Sequence, residues 1–171
     1  MPSVLRDKPE IELLEGQRYP KVSPKLNHSI VQGSMLVVLR RCAGSRGLSG
    51  TELRCRLAPG TEFVPDVAYL SFDRLHAVRE SERQEPPFAP DVAVEVRSPS
   101  NREPYEAKKI ATYLEYGSLL VLDIDPATRT LRAHVRDGEV RIFHAGEAFE
   151  CTTLPWLRFE VAELFEGIET A

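Results

Sequence analysis

Apolar and polar residues alternate along several short stretches of the chain and recur every three or four residues in two longer ones. Ile11 to Leu14, Glu15-Gly16 and Gln17 to Tyr19 read as a β-hairpin turning at Gly16. Pro20 and Pro24 bar a helix until about Leu26. Ile30, Val31, Met35, Val38, Leu39 and Cys42 then form a helical stripe, with Asn27 as its N-cap and Gly44 and Gly47 as its end. Gly44 to Gly50 reads as a flexible loop. Thr51 to Leu57 alternates as a half-buried strand, and Phe63 to Ser71 is a second strand in which Pro65 is tolerated only at the strand start or on an edge. Arg79 to Pro87 is a polar loop, and Asp91 to Arg97 is a third strand. A second helix begins at Ser100 or Asn101. Its stripe is Ala107, Ile110, Ala111 and Leu114, and Gly117 ends it. Leu119 to Ile124, broken only by Asp123, has the pattern of a strand buried on both faces. Leu131 to Arg136 and Glu139 to Phe143 flank the turn signal Asp137-Gly138, and Val161 to Phe165 reads as a short amphipathic helix. These elements predict an α/β fold. Its mixed β-sheet is flanked by helices, with N-terminal and C-terminal β-hairpins, and it lacks the regular strand-helix alternation of a doubly wound fold.

The length of 171 residues fits a single domain, 1–171. With 42% hydrophobic and 28% charged residues the chain is neither disordered nor a disulfide scaffold. No apolar run approaches the roughly 18 residues of a membrane span, and Met1 to Glu15 lacks a signal-peptide core. Three cysteines, Cys42, Cys55 and Cys151, have no metal-type spacing, so a reducing, cytoplasmic setting is expected. The net charge of −4 argues against a surface that is basic all over. It leaves room for a local phosphate-contacting patch from Arg40, Arg41, Arg46, Arg54 and Arg56, together with Arg97 and Arg102.

The third strand narrows the chemistry. Val92, Val94 and Val96 share one face, and Asp91, Ala93, Glu95 and Arg97 share the other. Asp91 and Glu95 stand about 13 Å apart at roughly 3.3 Å per residue, too far to share an ion whose oxygen ligands lie about 2.0–2.6 Å away. A partner for Glu95 must come from a neighbouring strand, and Asp66, a short acid in the apolar stretch Val64 to Ala68, is the candidate. Asp91 fits a loop-capping or supporting role better than a ligand.

Pro65-Asp66 followed by Glu95-Val96-Arg97 resembles the motif of the PD-(D/E)XK phosphodiesterase superfamily. The string from Pro90 to Arg102 is similar to its Uma2 branch of restriction endonuclease-like proteins. Glu12 to Gly16, His28, Lys109, Tyr113, Gly117, Val121 to Pro126, Leu154 to Trp156 and Leu164-Phe165 extend the likeness over nearly the whole chain. The resemblance implies a restriction-endonuclease-like core and magnesium-dependent cleavage of phosphodiesters, with DNA as the expected partner and Mn2+ able to substitute. It implies metal ligation by Asp66, Glu95 and the Val96 carbonyl, with Lys109 as the catalytic amine. Glu12, His28, Asp91, Arg97 and Tyr113 are expected in support. The superfamily's usual lysine position, two after the acid, holds Arg97, which stays protonated and is a poor base; it is expected either to contact a phosphate or to pair with an acid and blunt the site. Lys109 is expected to be the working amine instead, its pKa lowered by burial and metal. The position four before Lys109, where the family often has an acid, holds Tyr105. A homodimer or higher homo-oligomer is expected. The rival readings are a catalytically inactive nucleic-acid-binding or assembly module of the same fold, and a structural protein whose acids form a polar network.

Overall fold

The computed structural model describes residues 10–21, 23–99 and 103–168. The predicted helix start at Ser100 or Asn101, and Arg102, lie outside them.

In chain order the elements are β1 (Ile11–Leu14), β2 (Gln17–Pro20), α1 (Leu26–Ala43), β3 (Gly47–Thr51), β4 (Cys55–Ala58), β5 (Thr61–Phe63), β6 (Val67–Ser71), α2 (Phe72–Ala77), β7 (Val92–Val96), α3 (Glu103–Glu115), β8 (Leu120–Asp125), β9 (Thr130–His134), β10 (Arg141–His144), β11 (Ala148–Glu150) and β12 (Arg158–Glu160). Short 3-10 turns span Glu80–Glu82 and Val161–Phe165. Six strands form a mixed sheet in the order β10-β9-β8-β7-β6-β3. Only β7 and β8, joined through α3, run parallel; the other pairs are antiparallel. A second, antiparallel sheet has the order β2-β1-β5-β4, and β11 pairs with β12.

The main sheet separates two apolar clusters. On one face Val92, Val94 and Val96 meet Val31, Met35, Val38 and Leu39 of α1 and the C-terminal residues from Phe149 to Ile168. On the other, Ala93 and Val121 meet Ile110 and Tyr113 of α3 together with Leu14, Cys55, Leu57 and Phe63 of the small sheet. The alternation in β7 is therefore real, but both faces are covered, and all five of its residues are buried.

Several expectations need correction. The stretch from Gly44 to Gly50 is not a loop throughout, because Gly47 to Thr51 forms the edge strand β3 against β6. Gly47 has a physical reason to be glycine: a Cβ there would fall 2.1 Å from the Leu70 carbonyl oxygen. The strand expected from Thr51 to Leu57 is broken at Glu52, whose φ of 54° turns the chain out of one sheet and into the other. Phe63 to Ser71 is likewise two strands, separated at Pro65, which has no N–H for a ladder. The cap of α1 is at Lys25, without a side-chain bond, and not at Asn27. The first hairpin turns through Glu15 (φ 52°) and Gly16 (φ 80°), the paired positive angles of a type I′ turn. The three cysteines are free thiols. No helix among the described residues is long and apolar enough to cross a membrane.

Candidate active site

Asp66 lies where the chain leaves the small sheet for the large one. Val67 pairs with Val94, and extending that antiparallel register by one step sets Asp66 opposite Glu95. Opposite residues share a sheet face, with Cβ atoms about 4.5–5.5 Å apart. The N–H of Val96 donates to Asp66 Oδ2 at 2.7 Å, which fixes the carboxylate at the end of β7. His28, on the first turn of α1, places Nε2 3.1 Å from the same oxygen.

α3 crosses the Glu95 side of the sheet and contributes Lys109. Its ammonium lies 2.8 Å from Glu95 Oε1 and 2.8 and 3.0 Å from the two oxygens of Glu12. One helical turn on, the Tyr113 hydroxyl donates to Glu95 Oε1 at 2.7 Å. Glu12, on β1, also accepts from the Val64 N–H and the Tyr105 hydroxyl, both at 2.8 Å. Asp66, Glu95 and Lys109 are only 2%, 6% and 2% exposed, yet all three line a cavity of about 350 Å³, together with Glu12, His28 and Val96.

Seven of the residues singled out in the sequence therefore converge: Asp66, Glu95, Val96, Lys109, Glu12, His28 and Tyr113. Two do not. Arg97 places Nε and Nη2 each 2.7 Å from Asp123 and Nη1 2.8 Å from Glu103, so its guanidinium is committed to β8 and α3 and is not aimed at the acid pair. Asp91 lies at the opposite end of β7, accepting from the Ser71 N–H and from Arg74. The expected arginine patch is also dispersed, since Arg41 pairs with Glu163, Arg54 with Glu10 and Glu62, and Arg56 with Glu85.

The cavity also holds residues the sequence did not point to. Lys21 projects from the end of the first hairpin to Asp66. Glu106, three residues before Lys109, and Tyr105 line the same space. The one sequence signal for Glu106 is its spacing, which puts it on the Lys109 side of the helix.

Charge is unevenly distributed over these groups. Burial pushes the Glu95 carboxyl above its ordinary range, and Asp66 and Glu12 add to the rise while Lys109 opposes it. Burial would also raise Asp66, but the His28 hydrogen bond and the Lys21 charge outweigh it and hold the carboxyl well below the usual range. Burial alone would lower Lys109. Glu12 and Glu95 outweigh it, so without metal its pKa is raised, whereas the lowered value expected from the sequence counts on a metal ion beside it. This favours the ammonium form of Lys109 in the metal-free protein.

The donor set suits a hard divalent cation: two carboxylates from adjacent strands and backbone oxygen, the ligands Mg2+ and Mn2+ prefer. Oδ1 of Asp66 is buried and has no hydrogen-bond partner, and the same holds for Nδ1 of His28. Among the described residues no three His, Cys, Asp or Glu side chains converge as a complete cage.

The fold and cavity define a class: a mixed α/β domain with an acid pair and a lysine gathered at the end of a central strand. The chain belongs to the Uma2 family, described as putative restriction endonuclease, whose model matches residues 1–162. The crystal structure of a putative nuclease belonging to DUF820 from Anabaena variabilis superposes with a TM-score of 0.80 over 92% of this chain and 90% of that one, at 24% identity, and shows the same fold. A cryo-EM structure of a DrdV–DNA complex aligns with 78% of this chain and 11% of that one at 16% identity, with a TM-score of 0.43 too low to support an argument. No curated protein matches the chain.

Proposed function

We propose that this chain is a divalent-metal-dependent endonuclease acting on DNA, with Asp66, Glu95 and the Val96 carbonyl holding Mg2+ or Mn2+ and Lys109 supplying the catalytic amine. The observation that carries the reading is the placement of a buried ammonium, Lys109, against Glu95 in a cavity that also contains Asp66. The Val96 N–H faces Asp66, and in an extended strand the C=O of a residue turns to the same side as its N–H, which favours that carbonyl as the third oxygen. When bound, the metal ion would polarise a water and offset charge on the phosphate. Lys109, fixed by Glu12, would add a fixed positive charge where negative charge develops. Tyr113 would hold Glu95 in place, and His28 would orient Asp66.

A second reading, a catalytically inactive module of the same fold that binds nucleic acid or serves in assembly, is favoured by one observation. Two ammonium groups, Lys21 and Lys109, already neutralise the acids. Incubating supercoiled DNA with Mg2+ or Mn2+ separates the two. The endonuclease reading expects nicking by the wild type and none by Glu95→Ala. A wild type that binds DNA and leaves it intact with either ion supports the inactive module.

A further inference from the structure

Asp66 has two carboxylate oxygens, and they are used differently. Oδ2 is taken by the Val96 N–H and by His28. Oδ1 has no hydrogen bond and is left with one ion contact, the Lys21 ammonium at 2.9 Å. Lys21 immediately follows β2, and its backbone N–H bonds the Glu10 carbonyl at 2.7 Å, so its Cα is fixed to the first hairpin. Its Nζ is also 2.6 Å from the Val64 carbonyl oxygen and 2.6 Å from Glu52 Oε2. Glu52 is held in turn by Gln32, which donates to Glu52 Oε1 at 2.8 Å and to the Asp66 carbonyl at 2.9 Å. The ammonium therefore has one contact on Asp66, which lines the cavity, and two on Glu52 and the Val64 carbonyl, which do not line it.

We propose that Lys21 is a tethered cation that takes the place of the divalent ion on Asp66 Oδ1 and sets the affinity of the site for that ion. The inference rests on reading Asp66 and Glu95 as the ion site. An ammonium and a metal ion cannot both contact one oxygen at about 2–3 Å without strong repulsion. Ion binding thus requires the ammonium to withdraw from Asp66 toward Glu52 and the Val64 carbonyl, which keep its charge compensated. Lys21 is in this sense a positioning residue acting through Asp66. In the absence of metal it prevents a buried carboxylate from standing uncompensated, and with metal it is the group displaced.

Calorimetric titration with Mn2+ tests this on the full chain, comparing wild type, Lys21→Gln, Lys21→Arg, Glu52→Gln and Asp66→Asn. Removing the charge in Lys21→Gln should tighten Mn2+ binding by ~10-fold or more. Lys21→Arg, which keeps the charge, should stay near wild type. Glu52→Gln, which removes the alternative acceptor, should weaken binding several-fold. Metal-free Lys21→Gln should melt below wild type, and saturating Mn2+ should raise its Tm by more than it raises that of wild type. If Lys21→Gln binds no more tightly than a wild type that does bind, the Lys21 inference is overturned and the ion site stands. If neither wild type nor any variant binds Mn2+, or if Asp66→Asn binds as wild type does, the ion site itself is wrong and the Lys21 inference falls with it. If Lys21→Gln does not fold, Glu52→Gln decides by itself: unchanged affinity there overturns the inference.

Discussion

Two buried acids four residues apart, Asp91 just before β7 and Glu95 within it, mark the two ends of that strand, and the ends have opposite characters. At the first end Asp91 is closed in. It accepts the Ser71 N–H at 2.7 Å and an Arg74 bond at 3.3 Å, and Arg74 itself also bonds the Gly117 carbonyl and lies over the Phe88 ring. At the other end Glu95 and Asp66 border a cavity, face two lysines, and leave a carboxylate oxygen without a hydrogen bond. Residue type and burial are alike at the two ends. What differs is the cation, a forked guanidinium bonded into the fold at one end and compact ammonium charges beside open space at the other. The comparison teaches that a buried acid becomes a candidate ligand only where its counter-charge is able to give way.

The largest expected effect is at the cavity end. Lys109→Met leaves Glu12 and Glu95 buried without their shared cation, which should cost roughly 3–5 kcal/mol in urea unfolding, whereas exposed Lys108→Ala should stay within about 0.5 kcal/mol. Equal small losses in both would mean that the Lys109 ammonium is not paired as described. At the closed end, Asp91→Ala strips the Ser71 N–H of its acceptor and should cost about 1–3 kcal/mol. A larger loss than for Lys109→Met would invert the comparison.

The smallest effect depends on pH. Glu95 has a raised pKa in the folded state, so its contribution to stability is fully present below its unfolded pKa of about 4.3 and is lost as pH rises through the folded value. Removing that ionisation in Glu95→Gln should therefore make the metal-free protein gain stability relative to wild type as pH is raised, with the gain vanishing toward pH 4. Chemical denaturation across that range checks the sign. A stability difference that stays flat with pH would contradict the upward shift.

Much of this architecture could be read from the sequence because local chemistry and tertiary environment agree. Gly16 marks a hairpin that needs positive φ, the α1 stripe matches its buried face, and β7 alternates as its two clusters require. β3 was hidden because Gly47-Leu48-Ser49-Gly50-Thr51 has turn composition, yet one of those glycines is needed for close backbone contact with β6. β11 and β12, three residues each, and α2, six residues long, were too short to show a period. At the site, the Asp66–Glu95 pair was legible from strand geometry, and Lys109 only through the family resemblance. Arg97 was left between phosphate contact and pairing with an acid because sharing a strand face with Glu95 does not fix where a long side chain ends, and Asp123 on the neighbouring strand captures it. Lys21 was missed because its contact with Asp66 is created by the docking of the small sheet on the large one, which no local pattern encodes.

The central claim is that the Asp66–Glu95 end of β7 binds a divalent ion and the Asp91 end does not. Calorimetric titration of Mn2+ into wild type, Asp66→Ala and Asp91→Ala tests it most directly. Binding should be present in wild type, abolished in Asp66→Ala and retained in folded Asp91→Ala; binding that survives in Asp66→Ala, or that disappears only in Asp91→Ala, would contradict the claim.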